Sequence, residues 1–434
     1  MKVYFFNLVV RRMNSLFNTI NRPTDNTVTF RLAPTHVSYA NTLVRLIETA
    51  VDVVGFRADI KEDGSTADVT IEGNSTPMTN EMLAHRIGLL PVHVANPETW
   101  DADKYEFIID VENTSDQILN VNASDFQVYE LGPDGQRTRI PSSTFFIPNP
   151  ITNDTCLIAR LRGKSSNGVP EVLRLKAKAT VGVGREHARF NPTSRCAPAV
   201  WTRDTNPEKR KEAFIQWLAI HKKVDSAKLE QDPVKKAELE KEFNNMEVAR
   251  TVLRNENGEP YSFDITVESR GVLDPVYIVK RACDKGALMC NRYADDGGAS
   301  FSEDVTVKPT QKRMLGFDFV FKGHDHTLGN LHQTWLDQNL VGNEDIVYAG
   351  YNIPHPLQDT MVLTIGVSGS STNPEIIARN AVKTAAKGCA TMFQSWSDMW
   401  QSASGYGVSK QGQQSQQGQT QVKPRRILKK STAQ

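Results

Sequence analysis

The chain of 434 residues contains no CxxC pair, and its five cysteines are an odd number. Both facts argue against a disulfide framework and a ribbon-type zinc site. Cys156, Cys196, Cys283, Cys290 and Cys389 read instead as reduced, mostly buried thiols of a cytosolic or nuclear protein. No apolar run approaches the ~18 residues that a membrane span requires. Residues 3–10 are apolar and end at Arg11-Arg12, but Asn7 interrupts them and no small-residue cleavage site follows, so a signal peptide is rejected. Net charge is +1, so no basic field points to direct, specific DNA contact. GxSxG, P-loop and paired-aspartate motifs are lacking. What is present is an ordinary globular composition, 39% hydrophobic and 23% charged, in a chain long enough for two or three domains.

Residues 317–356 organise the chain. Phe317, Phe319 and Phe321 alternate with Asp318 and Val320, which is strand periodicity. A turn at Gly323 follows, then Leu328, Leu331, Trp335 and Leu336 at helical spacing, then a short β-rich run at 346–351. The same strand–helix–strand unit occurs earlier. Val28, Phe30 and Leu32 alternate, Pro34 marks a turn, and Val37, Ala40, Leu43, Val44, Ile47 and Ala50 fit a 3.6-residue period. Val53 and Val54 begin the next strand. Laid together without gaps, Phe30 meets Phe319 and Asn41 meets Asn330. Two copies of one unit point to a pseudo-symmetric pair packed face to face.

The motifs carry a family resemblance. GHDHTLGNLHQTWL at 323–336 and YAGYNIPHPL at 348–357 resemble the eleventh subunit of eukaryotic RNA polymerase II and its archaeal counterpart. YANTLVRLI at 39–47, EMLAHRIGLLPV at 81–92, GREHARFNP at 184–192 and VESRGVLDPVYIV at 267–279 resemble the third subunit and its archaeal counterpart. Both families are similar to the dimerisation domain of the bacterial polymerase α subunit. The resemblance implies an α+β fold: two pseudo-symmetric polymerase α-type dimerisation units in one chain, the first interrupted by a β-rich insert domain. It implies that two former subunits are fused, as in a large DNA virus of eukaryotes, working in virions and host cytoplasm, or alternatively in the nucleus. The expected partners are the second-largest and largest polymerase subunits and the small zinc-binding subunits, with neither membrane nor cofactor.

The expected boundaries follow. Residues 1–26 form an N-terminal segment without strong pattern. Residues 27–60 and 185–294 form the third-subunit-like unit, and 61–184 the insert, where short β runs are split by Gly, Pro, Asn and Asp. Residues 207–253 are a charged helical elaboration broken at Pro233, in which the chain departs from the family. Residues 295–309 are the linker, with a Gly-rich joint at 295–300, and 310–400 the eleventh-subunit-like unit. Residues 401–434 are a Gln-rich basic tail without acids, read as disordered.

The candidate site is a subunit interface. The resemblance implies interface roles for Asn41, Leu43 and Arg45, where Val44 replaces the first of the family's usual basic pair. It implies the same for Glu186 and His187, and for Thr327, Leu328, Asn330 and Leu331. His85, beside Arg86 on an otherwise apolar helix that buries Met82, Leu83 and Ile87, reads as a core or interface histidine. Val382, Ala385, Cys389, Met392, Trp396 and Met399 form an a/d seam that wants one partner helix, and residues 275–290 offer it. No catalytic residue and no metal ligand is assigned. Nothing resembles the aspartate triplet with which polymerase largest subunits hold magnesium. The eukaryotic third subunit's cysteine cluster is also missing, since 95–104 hold no cysteine. The rival reading is a metal-dependent hydrolase built on His324, Asp325 and His326 with a distant histidine, His332 or His355. Against it stands the spacing, which suits a strand-to-helix turn capped by Asp325 or Thr327.

Overall fold

The computed structural model describes residues 16–405 except 61–65, 133, 165–167, 197–199, 226–228, 230–231, 295–300, 302, 312–313, 344 and 370–372. The apolar stretch at 3–10, the joint at 295–300 and the tail beyond 405 lie outside the described residues. No helix among the described residues is long and apolar enough to cross a membrane.

The chain opens with strands β1 (Phe17–Thr24) and β2 (Thr27–Leu32), helix α1 (Val37–Thr49) and strand β3 (Asp52–Gly55). A β-rich region follows: β4 (Val69–Asn74), α2 (Asn80–Gly88), β5 (Tyr105–Asn113), β6 (Leu119–Asn122), β7 (Gln127–Leu131), β8 (Arg137–Ile140), β9 (Leu157–Leu161) and β10 (Glu171–Ala177). Strand β11 (Thr180–Val183) returns from it and pairs with β3, so the region hangs on a two-stranded neck. Then come β12 (Thr193–Cys196), β13 (Val200–Trp201), α3 (Pro207–Trp217), α4 (Pro233–Met246), β14 (Phe263–Ser269) and α5 (Pro275–Asn291). The last part is β15 (Val305–Pro309), β16 (Gly316–Lys322), α6 (His326–Asn339), β17 (Ile346–Asn352), β18 (Thr360–Val367) and α7 (Pro374–Ser404).

Two antiparallel sheets form the platform. One runs β1-β2-β14-β12, with β13 also on β14; the other runs β15-β16-β18-β17. Alternation decides which face of each strand is buried: Val28, Phe30 and Leu32 sit opposite Val267, Ile265 and Phe263. Phe319 and Phe321 sit opposite Leu363 and Met361. The hanging region has its own sheet, β4-β10-β5-β7-β8, over a core of Phe107, Phe126, Phe145, Phe146 and Leu173. Helices α3 and α4 enclose a small separate core of Trp217, Leu218, Leu239 and Phe243. Pro207, Pro233, Pro275 and Pro374 each occupy the first turn of a helix, where no backbone donor is missed.

Several expectations change here. The segment 1–26 contains a strand, β1, and the linker 295–309 contains another, β15. Each is an outer strand of its sheet. In β1 only Phe17 is buried, so its sequence carries no alternation to read. Val54, Phe56 and Ala58 already belong to the core of the hanging region, so the crossing into it precedes residue 61. Finally, Met82 is exposed and Ala84 takes its place on the buried face of α2.

Candidate subunit interface

Helix α7 joins the two platform halves. Its first part, through Ala378, Val382, Ala385 and Ala386, packs on the second sheet with Phe319, Leu328 and Leu363. Its later part, through Cys389, Ala390, Phe393, Trp396 and Trp400, enters the first core with Phe17, Phe30 and Leu43. Trp400 is fully buried; its indole N–H donates to the Val276 carbonyl at 2.9 Å. Its ring lies 5.0 Å from Phe17 and 4.8 Å from Phe30, centroid to centroid. Ser397 donates to Asp284 at 2.5 Å. Partner choice is as the seam predicted: α7 packs most extensively against α5. The buried face is wider than the seam, however, and takes in Phe393 and Trp400, while Met392 is only partly buried. Two glycines allow the helices this close. A Cβ at Gly286 would stand 2.9 Å from Phe393, and one at Gly388 would stand 2.3 Å from the Trp335 ring.

Helices α1 and α6 meet beside that pair. Tyr39 donates to Gln338 at 2.9 Å, and Thr334 donates to Ser38 at 2.9 Å. Burial pushes the Tyr39 phenol far above its ordinary value. Leu43, Leu328 and Leu331 are wholly buried, so their part lies inside the chain and not on its outer surface. Asn41 and Arg45, one turn apart on α1, are exposed. Arg185 bridges the halves at the surface, 3.3 Å from Asp359 and 4.0 Å from Asp325. Burial pushes the Asp325 carboxyl up. The backbone and side chain of Thr327, with Arg185 and Arg45, outweigh it and hold Asp325 below the usual range.

The neck gives Glu186 and His187 an internal task. Glu186 forms a two-point ion pair with Arg57, at 2.5 and 2.8 Å, and the Arg57 hydrogen bond holds its carboxyl below the usual range. His187 Nδ1 accepts from the Arg189 backbone N–H at 3.0 Å and its Nε at 3.1 Å. Arg189, which the sequence did not single out, is buried and donates to the Phe56 carbonyl at 3.1 Å and to Asp59 at 2.7 Å. Arg86 donates to the Leu157 carbonyl at 2.9 Å, and His85 faces solvent, so the core reading of that histidine fails.

The His324, Asp325 and His326 cluster does not converge. Asp325 caps α6 by accepting from the Thr327 N–H at 2.8 Å. Tyr293 donates its one proton to Asp304 at 2.6 Å, so His324 Nε2, 2.7 Å away, must be the donor to the phenol oxygen. Burial lowers His324 to about 4. His326 Nδ1 lies 3.2 Å from the Tyr351 hydroxyl, and His355 Nδ1 accepts from the Leu357 N–H. Among the described residues no group of three or more His, Cys, Asp or Glu side chains is placed to hold a metal ion.

These features define a mixed helix-and-sheet protein with a polymerase dimerisation domain: residues 317–397 match the RNA polymerase Rpb3/Rpb11 dimerisation domain family. Particular relatives are similar to the chain. It is 26% identical over 200 residues to DNA-directed RNA polymerase II subunit RPB3 of Schizosaccharomyces pombe, covering 41% of this chain and 58% of the relative. It is 27% identical over 183 residues to DNA-directed RNA polymerase subunit Rpo3 of Methanobrevibacter smithii, covering 41% and 56%. It is 33% identical over 73 residues to DNA-directed RNA polymerase II subunit rpb11 of Dictyostelium discoideum, covering 17% and 57%. The chain thus spans a little over half the length of these relatives.

Proposed function

We propose that the chain is a non-catalytic assembly-platform subunit of a multisubunit DNA-directed RNA polymerase. Its two α-type units pair within one chain. The joined surface docks the second-largest and then the largest subunit, with the small zinc-binding subunits alongside, and nucleotide transfer takes place on those partners. The observation that carries this reading is the correspondence between the platform halves. Each sheet has a four-strand path in matching order, to which the first adds β13, with a helix after its second strand (α1, α6) and a long helix after its third in sheet order (α5, α7). This correspondence supports a pseudo-symmetric pair, the first member interrupted by an insert domain beyond the β3–β11 neck. Similarity to both a third and an eleventh polymerase subunit supports two former subunits joined in one chain. That fused arrangement is also what supports a virus-encoded polymerase acting in virions and host cytoplasm. The exposure of Asn41 and Arg45 supports their role in docking. For the hydrolase alternative, the separate local bonds of His324, Asp325 and His326 offer no support.

The test is recovery of the tagged chain from its native source. The two large polymerase subunits should accompany it in near-equal amounts, and Arg45→Glu should reduce their yield. Recovery of the chain without them, or with a stoichiometric transition metal and hydrolytic activity, would overturn the reading.

A further inference from the structure

Helices α5 and α7 run antiparallel with a register that fixed contacts define. Val276 meets Trp400, Asp284 meets Ser397, and Gly286 meets Phe393. One turn onward from Gly286 along α5 is Cys290. One turn back from Phe393 along α7 is Cys389. The two cysteines therefore oppose each other just past the close contact of Gly286 with Phe393. Both are fully buried, and each lies close enough to influence the other's ionisation. Cys389 is the largest influence holding the Cys290 thiol below its ordinary value, against the effect of burial, and His332 adds to it. Burial first, and then Cys290, push Cys389 up. His332, on α6, is itself wholly buried, and neither ring nitrogen reaches an oxygen or nitrogen partner. The buried region between the platform halves thus holds two facing cysteines beside an imidazole whose ring nitrogens have no hydrogen-bond partner. The remaining buried cysteine differs: Cys283 lies in register with Trp396, so it has no sulfur opposite.

We propose that Cys290 and Cys389 are an oxidation site that closes to a disulfide and covalently joins the two platform halves. The oxidant is a hydroperoxide. The Cys290 sulfur attacks its terminal oxygen, the O–O bond breaks, and the leaving oxygen takes a proton, giving Cys290 sulfenic acid and, from hydrogen peroxide, one water. The Cys389 sulfur then attacks the Cys290 sulfur. The S–O bond breaks, and hydroxide leaves with the Cys389 proton as a second water. Two thiols lose two electrons and the peroxide gains them. His332 is the neighbouring group that can relay these protons. Access comes through α5 itself: Cys290 lies in its last turn, the part of a helix that opens at least cost. Entry through that opening makes the reaction slower than oxidation of the exposed Cys156. The bond would hold the halves together under oxidising conditions, and a thiol reductant would release it.

The test uses the full chain carrying Cys156→Ser and Cys196→Ser, which leaves three cysteines. The protein is treated with hydrogen peroxide, denatured in an alkylating agent and digested with trypsin. The expected product is the peptide 286–292 disulfide-bonded to the peptide 388–410, with only Cys283 alkylated, and dithiothreitol should reverse it. The oxidised chain should also melt several degrees higher than the reduced one. Cys290→Ala in the same background should give no link. If that variant does not fold, the peptide map of the parent background decides alone. The proposal falls if Cys290 and Cys389 both remain alkylatable when peroxide treatment is continued well past full oxidation of Cys156 in the unaltered chain, until no further thiol is lost. It also falls if the link joins Cys283 or a second molecule instead.

Discussion

Replacing Trp400 by alanine tests whether the second half of the chain closes the core of the first. The indole is fully buried, meets Phe17 edge-on and Phe30 at a tilt, and donates to the Val276 carbonyl at 2.9 Å. Truncating a buried tryptophan costs about 3–5 kcal/mol, because the transfer energy is lost and the cavity relaxes only in part. Loss of the hydrogen bond adds about 1 kcal/mol, for a total of about 4–6 kcal/mol. That is a large share of the roughly 5–15 kcal/mol by which a domain is stable. Trp400→Phe keeps the ring contacts and should cost about 1–2 kcal/mol. Trp201→Ala is the control: that side chain is 46% exposed, and its loss should cost under about 1 kcal/mol. The assay is urea unfolding of the full chain followed by circular dichroism, which does not depend on the tryptophans being changed. A Trp400→Ala midpoint no lower than that of Trp201→Ala would refute the reasoning, because α7 would then not be the lid of the first core.

Further expectations concern the junction and its surroundings. Gly286→Leu should destabilise the chain by about 1–3 kcal/mol, since the new side chain meets Phe393 and Leu46; an unchanged unfolding midpoint would show that the helices can part without cost. His324 titrates near 4 when folded, against about 6.5 when unfolded, so the unfolded chain takes up the proton first as pH falls. Stability from the neutral ring is therefore complete above about pH 6.5 and is lost toward pH 4, about 3 kcal/mol in all. His324→Phe should flatten that slope, and equal slopes in variant and parent would contradict it. Cleavage at a protease site inserted between Gly297 and Gly298 should leave two fragments that co-elute at micromolar concentration; their separation would argue against a self-sufficient pair of units.

Legibility in the sequence followed burial geometry. Strands β2 and β16 bury one face each, so their alternation was readable, and the apolar stripes of α1 and α6 placed the helices after them. The outer strands β1 and β15 expose most of their residues and left no such trace. On α7 a strict heptad found Cys389 and Trp396 but passed over Phe393 and Trp400. That helix is covered by α5, α6 and a sheet, and a helix with several neighbours buries more than two positions per heptad. At the neck, the sequence marked the motif around Glu186 and His187 for an interface, and Glu186 is exposed there while it pairs with Arg57. The sequence could not reveal that Arg189 is buried, because a guanidinium goes inside only when distant acceptors such as the Phe56 carbonyl and Asp59 are brought to it.

Strand β2 finds its neighbour β14 only after the hanging region and the α3–α4 elaboration have been made, roughly 230 residues later. At the usual synthesis rate of about 5–20 residues per second, a ribosome takes about 10–50 seconds to cover that distance. Throughout that interval β2 has only the outer strand β1 beside it, and the side of Phe30 and Leu32 that β14 will cover stays open. The region beyond the neck is contiguous and can condense as it emerges. The first platform sheet follows, and its core stays open at Phe17 and Phe30 until α7, the last described element, arrives. Birth order therefore runs opposite to chain order at the two ends: the earliest strands are among the last to be sealed. A nascent molecule interrupted anywhere before α7 would display uncovered aromatic side chains, the feature by which chaperones and proteases recognise unfinished work.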